Sequence, residues 1–379
     1  MFDYETLKML WWLLIGVLLI GFVISDGFDM GVGALVPVIG KTDDERRIMI
    51  NSIAPHWEGN QVWLITGAGA IFAAWPAVYA TAFSGFYVAM MLTLFALFFR
   101  PVGFDYRSKI EDPRWRNSWD WGIFIGGAVP PIIFGVAFAN LLQGVPFTLD
   151  EFMRSQYQGG FFELLNPFAL LVGIFSLTLF LLQGATWLQM KTEGALRQRA
   201  RRVSLLCAPA AIIMFALAGV WVAYGIDGYV ITSIGDLNGP ANPLLKTVEL
   251  QQGAWLANYD KYPLTMLAPA IGLFFPALVW IASKVNRSGC AFFFSCITLA
   301  AVLLTFAFST FPFILPSSLD ANVSFTVWDA ASSEMTLNIM TIAAAIFLPI
   351  ILLYTSWCYF KMFGRLGKEF MAKYKHSAY

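Results

Sequence analysis

Residues 59–99 read GNQVWLITGAGAIFAAWPAVYATAFSGFYVAMMLTLFALFF, without one charged side chain. A bilayer core takes roughly 20 apolar residues per helix. This run is too long for one crossing, and Pro76 after Trp75 is the expected break that makes it two. The same test applied outward finds uncharged runs at 121–149, 164–190, 203–226, 262–283, 288–319 and 335–360, each sized for one helix. A first helix holds Asp26 and Asp29 in its second half. The reading is an all-α polytopic integral membrane protein with nine transmembrane helices. They are placed at about 9–38, 52–75, 79–99, 119–142, 163–189, 203–224, 263–283, 289–311 and 335–360, in one transmembrane domain spanning 1–379.

Composition agrees. Hydrophobic residues make up 58% of the 379 and charged residues 13%, against about 25% charged in soluble domains. Net charge is zero, so no basic stripe exists to hold nucleic-acid phosphates. Four cysteines without a CxxC pair suit buried thiols better than a metal cluster or disulfide framework. The N-terminus opens on Asp3 and Glu5 rather than a basic segment. It is expected to stay as the first membrane helix and not to be cleaved as a signal.

Nine helices put alternate loops on opposite sides. One side then receives 20 of the 24 Lys and Arg, and the other only Lys8, Arg154, Lys246 and Lys261. The positive-inside rule places the C-terminus in the cytoplasm and the N-terminus outside. The outer segments 143–162, 225–262 and 312–334 read as loops. Trp255 and Trp328 in them suit an interfacial layer. Gln183-Gly184-Ala185 sits about where Asp26-Gly27-Phe28 sits in the first helix, a weak hint that helices five to eight repeat one to four. Chance likeness between apolar helices explains it as well. Two four-helix bundles plus one peripheral helix is the economical arrangement.

Charges inside a membrane cost roughly 2.5–3.5 kcal/mol each, so the buried polar residues carry the functional signal. Asp26 and Asp29 share one helix face, with Gly27, Gly31 and Gly33 permitting close helix approach. Such a pair can pass protons, bind a cation or anchor the fold; the plain alternative is two solvated acids at a helix end. In Pro55-His56-Trp57-Glu58-Gly59-Asn60-Gln61-Val62-Trp63, His56, Asn60 and Trp63 lie along one face and Glu58 points elsewhere. His56 can relay protons, ligate a haem or simply end a helix. With two histidines in the chain, a bis-histidine haem needs a ligand from another subunit. A zinc site is poorly supplied, and no metal site is expected. Pro101 is expected to end helix three near the cytoplasmic face. There Arg100 binds a cofactor carboxylate or a lipid phosphate, or only snorkels. Asp105 pairs with Arg100 or sits at a proton entry. Three classes stay open: an oxidase subunit, a proton-coupled secondary transporter, and an assembly protein.

Three motifs narrow the choice. They are Ser25-Asp26-Gly27-Phe28-Asp29-Met30-Gly31, the stretch from Asn51 through Pro55-His56-Trp57-Glu58-Gly59-Asn60 to Leu64, and Phe98-Phe99-Arg100-Pro101-Val102-Gly103-Phe104-Asp105-Tyr106-Arg107. With Trp119-Asp120-Trp121-Gly122, Trp328-Asp329-Ala330 and the ending His376-Ser377-Ala378-Tyr379, the whole chain resembles subunit II of the cytochrome bd-type ubiquinol oxidases. The resemblance implies a bacterial inner-membrane complex that oxidises quinol and reduces dioxygen to water. Protons are taken from the cytoplasm and released in the periplasm, where the N-terminus of this chain lies. Subunit I would be the obligate partner, with one or two small single-helix subunits and membrane lipids around the pair. Haem b558 would be held on subunit I, and haems b595 and d at or near the interface with it. A structural ubiquinone is a further implied cofactor. Carried onto this chain, Asp26 and Glu58 would be the intramembrane proton-path acids, assisted by Asp29 and His56, with Asp105 near the cytoplasmic mouth. Arg100 would sit toward the b595/d haem pair, and Trp63 would border the oxygen route. Relatives often carry aspartate at the Glu58 position, so the carboxylate here reaches one methylene further.

The charge split makes a direct prediction. Alkaline phosphatase fused within 225–262 is expected to be active, and fused at the C-terminus inactive. The reverse pattern would overturn the orientation.

Overall fold

The computed structural model describes residues 2–367. Thirty-six residues from Tyr4 to Ile39 form the first helix, α1. It is followed by α2 (Asp43–Ile53), α3 (Trp57–Ala74), α4 (Pro76–Gly85), α5 (Tyr87–Tyr106) and α6 (Pro113–Gln143). The strands β1 (Phe147–Leu149) and β2 (Ser155–Tyr157) precede α7 (Pro167–Lys191) and α8 (Gly194–Gly225). Then come β3 (Asp227–Ile234), β4 (Lys246–Gln252), the short α9 (Ala257–Lys261), α10 (Leu267–Lys284) and α11 (Ser288–Thr310). The strands β5 (Phe313–Leu315) and β6 (Phe325–Thr326) lead to α12 (Glu334–Lys361). Among the described residues, eight helices are long and apolar enough to cross a membrane: α1, α5, α6, α7, α8, α10, α11 and α12.

Several expectations are corrected. The fold is mostly helical rather than all-α, because each of the three loops on the hairpin side folds into a two-stranded antiparallel sheet. The helix placed at 52–75 is α3, starting five residues later at Trp57, and a separate helix that was not expected, α2, precedes it and ends at a turn over Ala54–His56. Thr42 and Glu45 close a capping box that starts α2, which satisfies the first free amides of a short polar helix. Pro76 does break the chain after Trp75, yet it opens α4, and a second break at Phe86 separates α4 from α5. Helix three does not end at Pro101. It continues to Tyr106 with Pro101 inside it, and on that stretch Arg100 is buried against Asp26 of α1 and Phe104 against Trp57 of α3. Trp255 is buried, not interfacial. Its indole donates to the Leu142 carbonyl. The ending His376-Ser377-Ala378-Tyr379 lies outside the described residues.

The bundle is organised around α1, which packs on α3, α6, α7 and α11. Its crossing with α7 has no room for a side chain. A Cβ at Gly31 would strike the Phe180 carbonyl, and one at Gly184 would strike the Gly31 backbone. Such backbone-to-backbone approach is how helices associate where lipid supplies no hydrophobic drive. The second group of helices packs as α7 on α8, α8 on α10, and α10 on α11. Outside these, among the described residues, α12 packs mainly on α1 and α3. It is clipped near one end by Trp11, whose indole donates to the Leu337 carbonyl and Thr341 Oγ1.

At the Arg-rich end, Asp120 accepts from Arg46 at 2.7 Å and from Arg107 at 2.5 Å, while Asp43 accepts from Arg107 and Arg116. Glu45 pairs with Arg199. These contacts tie α2 to α5, α6 and α8. At the hairpin end, Lys246 meets Asp329 at 2.8 Å, both nearly excluded from solvent. Burial holds the Lys246 ammonium below its ordinary range, and Asp329 opposes that shift.

Gly31→Ala is expected to lower the midpoint of thermal unfolding of the purified protein and cut its yield, since overpacking costs about 1–3 kcal/mol. Gly16→Ala, where no atom beyond its own stretch of helix lies within 4 Å of the new methyl, should leave both unchanged.

Candidate functional site

Asp26 and Asp29 sit on α1 one turn apart, and both are wholly buried. They do not share a partner. Arg100, reaching from α5, grips Asp26 with two nitrogens, Nη2 to Oδ1 at 2.6 Å and Nη1 to Oδ2 at 3.2 Å. Such a fork-to-fork pair is the strongest arrangement of these two groups. Arg100 is therefore neither snorkelling nor paired with Asp105. Its guanidinium is turned into the bundle onto α1. Pro101 inside α5 does not prevent this.

Asp29 has a different environment. Its Oδ2 accepts from Asn60 Nδ2 at 2.7 Å. Its Oδ1 has no hydrogen-bond partner among the described residues. Asn60 is positioned by the first turn of α3, and its Oδ1 in turn accepts from the Tyr359 hydroxyl at 2.6 Å. Tyr359 comes from the last turns of α12. His56, at the start of α3, stacks on the Tyr359 ring with centroids 4.3 Å apart and planes 9° apart. It also meets Trp187 edge-on, and Trp187 stacks on Phe28 at 4.0 Å. Lys191 completes this end: its ammonium lies 5.0 Å from the Trp187 ring and donates to the Met362 carbonyl. The result is one buried ion pair and, a turn away, a carboxyl with a single amide donor.

The other expected site residues lie elsewhere. Glu58 is exposed on α3, turned away from Asn60. Trp63 is half-buried, and its ring lies where a Cβ on Gly21 of α1 would go. Asp105 is exposed at the Arg-rich end of α5, in an open groove with Tyr106, Lys109, Ile110 and Trp115. The structure thus brings together Asp26, Asp29, Arg100 and His56 with its neighbours, leaves Glu58 and Asp105 exposed, and packs Trp63 against α1 away from them.

Tyr359 escapes sequence reasoning, and two residues that the sequence offers only in passing, Asp120 and Gln183, prove to be held in buried contacts. Tyr359 sits in an aromatic run where no residue stands out. Asp120 looks like an ordinary acid at a helix start. Gln183 lies in a seam of uncharged polar groups, accepting from Ser295 at 2.5 Å and donating to the Ile24 carbonyl and Cys296. The spacing of Asn60 four residues after His56 was the one available signal for its inward face.

A haem implied for this kind of chain can be tested against the residues present. His56 is the sole histidine among the described residues. Its ring is covered on one face by Tyr359 and flanked by Trp187, with 5% of the residue exposed. That environment does not fit an axial ligand to iron outside the chain. No group of three or more His, Cys, Asp or Glu among the described residues is arranged to hold a metal ion.

Known proteins agree with this architecture. The family model for cytochrome bd terminal oxidase subunit II matches residues 7–362. The "Cytochrome bd-I ubiquinol oxidase subunit 2" of Escherichia coli (strain K12) is 59% identical over 379 residues, covering 100% of both chains. The "Probable cytochrome oxidase subunit 2" of Haemophilus influenzae is 56% identical, again over 100% of both. The "Cytochrome bd ubiquinol oxidase subunit 2" of Bacillus subtilis is 32% identical over 96% of this chain and 98% of its own. In shape, the chain matches a bd oxidase structure from Geobacillus thermodenitrificans with TM-score 0.68 at 17% identity, over 95% of this chain and 99% of that one. At that identity the likeness speaks for the fold alone. Full-length identity to these relatives and the matched family model mean that the chain belongs to the family of cytochrome bd terminal oxidase subunit II.

Proposed function

We propose that this chain is the second subunit of a quinol oxidase complex that reduces dioxygen to water, and that its own contribution is scaffold and proton path. It is a multi-pass protein of the bacterial inner membrane. Family membership favours this reading over a proton-coupled transporter. The observation that carries the proton role is the contrast between the two buried carboxyls. Asp26 is neutralised by Arg100, so taking a proton there would abandon a bidentate ion pair. Asp29 has one neutral donor and, among the described residues, no partner for its other oxygen. A carboxyl so placed can gain and lose a proton without breaking a salt bridge.

The roles follow from this contrast. Asp29 is the exchanging acid, and Asp26 with Arg100 is its fixed electrostatic frame. Asp105, in the groove at the Arg-rich end, is the entry acid. Glu58, exposed on α3, is the acid turned toward subunit I, with His56 between the α3 start and Tyr359. Trp63 borders the oxygen route at the outer face of α1. Subunit I is the obligate partner, holding haem b558. Haems b595 and d would lie at or near its interface with this chain, toward which α5 would face, while Arg100 itself is turned inward onto Asp26. Small single-helix subunits, lipid and a structural ubiquinone complete the complex. The haems supply electron transfer and oxygen chemistry; residues of this chain hold and move protons.

For the membrane arrangement we count α3 as a ninth crossing. Its 18 residues span about 27 Å at 1.5 Å each, close to the roughly 30 Å hydrocarbon thickness. The low hydropathy of its first turn is supported by Asn60 facing inward. The Arg-rich end is then cytoplasmic and the hairpin end periplasmic. The whole chain forms one transmembrane unit, built as two four-helix bundles with α12 at the periphery.

Asp29→Asn in the assembled complex is expected to slow oxygen reduction about 100-fold with the haem optical spectrum unchanged. Parental turnover would remove Asp29 from the path. Asp26→Asn behaves differently: it leaves Arg100 buried and unpaired, a loss of about 3–5 kcal/mol. The expected result is loss of assembled complex, read on native gels, before any kinetic effect.

A further inference from the structure

Tyr359 lies far from the motifs that mark this family, on a helix otherwise peripheral to the bundle. Its hydroxyl nevertheless ends inside the site, 2.6 Å from Asn60 Oδ1. That contact has a chemical consequence. A side-chain amide has a donor end and an acceptor end, and they can exchange by rotation. With Tyr359 donating to Oδ1, Asn60 presents its nitrogen to Asp29 at 2.7 Å, and turning the amide would leave the phenol proton, which has no other acceptor among the described residues, facing an NH2 group. An N–H donor favours the charged carboxylate. The carbonyl end, if turned to Asp29, would instead accept from the protonated acid.

We propose that Tyr359 is a positioning residue for proton exchange at Asp29, acting by locking the orientation of the Asn60 amide. The inference rests on Asp29 being the exchanging acid. The lock is itself braced. His56 stacks flat on the Tyr359 ring, and Lys191 holds the chain just beyond α12 through the Met362 carbonyl. Asn60 is 1% exposed, so water is poorly placed to replace the phenol.

Other charges around Asp29 are accounted for. Asp26 stands one turn earlier on α1 and is held by Arg100 from α5. From α3 and α12 come His56 and Tyr359. On α7, Lys191 is engaged with Trp187 and Met362. On α6, Asp120 is held by Arg46 and Arg107. From α11, which carries no charged residue, Cys296 accepts from Gln183.

The test uses the whole oxidase complex. Tyr359→Phe removes one oxygen and keeps the ring stack. Freed, Asn60 can turn its carbonyl to Asp29 and stabilise the protonated acid, so proton loading persists to higher pH. The alkaline limb of turnover against pH should move upward by about one unit, a tenfold change in the proton equilibrium. The haem spectrum and subunit content should be unchanged. In Tyr359→Phe combined with Asp29→Asn, the shift should vanish, because the phenol acts only through that carboxyl. A Tyr359→Phe profile superimposing on the parent, while Asp29→Asn remains slow, overturns the role of Tyr359 alone. Full turnover in Asp29→Asn instead overturns the proton-path reading beneath it. A shift that survives in the double variant also overturns the inference. Should Tyr359→Phe fail to assemble, Asn60→Leu, which removes the donor itself, must show the same upward movement; an unmoved limb there is equally decisive against it.

Discussion

A guanidinium and a carboxylate meet in the interior of this bundle, and much else depends on them. The Arg100–Asp26 pair joins α5 to α1 with neither side chain exposed by more than about a hundredth. Separately, each group would be a heavy charge to place in hydrocarbon. Together they are a neutral, bidentate unit. The pair also divides the labour of the two α1 acids. Because one carboxyl is consumed by arginine, the other is left with a neutral amide and a spare oxygen. A second arginine nearby would fix both acids, and no arginine would leave two like charges a helical turn apart.

Close packing around α1 is the companion constraint. Gly31 and Gly184 let two backbones touch, which brings α7 near enough for Trp187 to stack on Phe28. Trp187 then forms the wall against which His56 and Lys191 rest. Thus a pair of glycines that carry no chemistry fixes the aromatic and cationic surroundings of the site. The ion network at the Arg-rich end does similar work for α2, tying Asp43 and Arg46 to α5 and α6. That network orients the turn from which α3, and with it Asn60, begins.

Much of this was legible in the sequence. Long uncharged runs gave the membrane-capable helices, since a run with no charge has no other stable home. The inward face of His56 and Asn60 followed from their spacing of four. What stayed hidden depends on contacts between distant segments. Arg100 and Asp26 are 74 positions apart, and Tyr359 and Asn60 are 299 apart. A single sequence records what each helix contains but not the axial height at which two helices meet. The late start of α3 was hidden for another reason: the turn at Ala54–His56 lies within a motif whose polar residues read equally well as one continuous helical face. The hairpins in the outer loops were masked by their turn-rich composition, which looks the same whether or not strands pair.

The order of synthesis gives one of these contacts a further meaning. The ribosome makes Asp29 and Asn60 early and Tyr359 near the end, on the last long helix. Until α12 has inserted and its end has been clasped by Lys191, the amide beside Asp29 is free to turn either way. The finished electrostatics of the site therefore require the chain through Met362. A product stalled before Tyr359 would carry every residue of the three motifs and still lack the bond to the Asn60 amide.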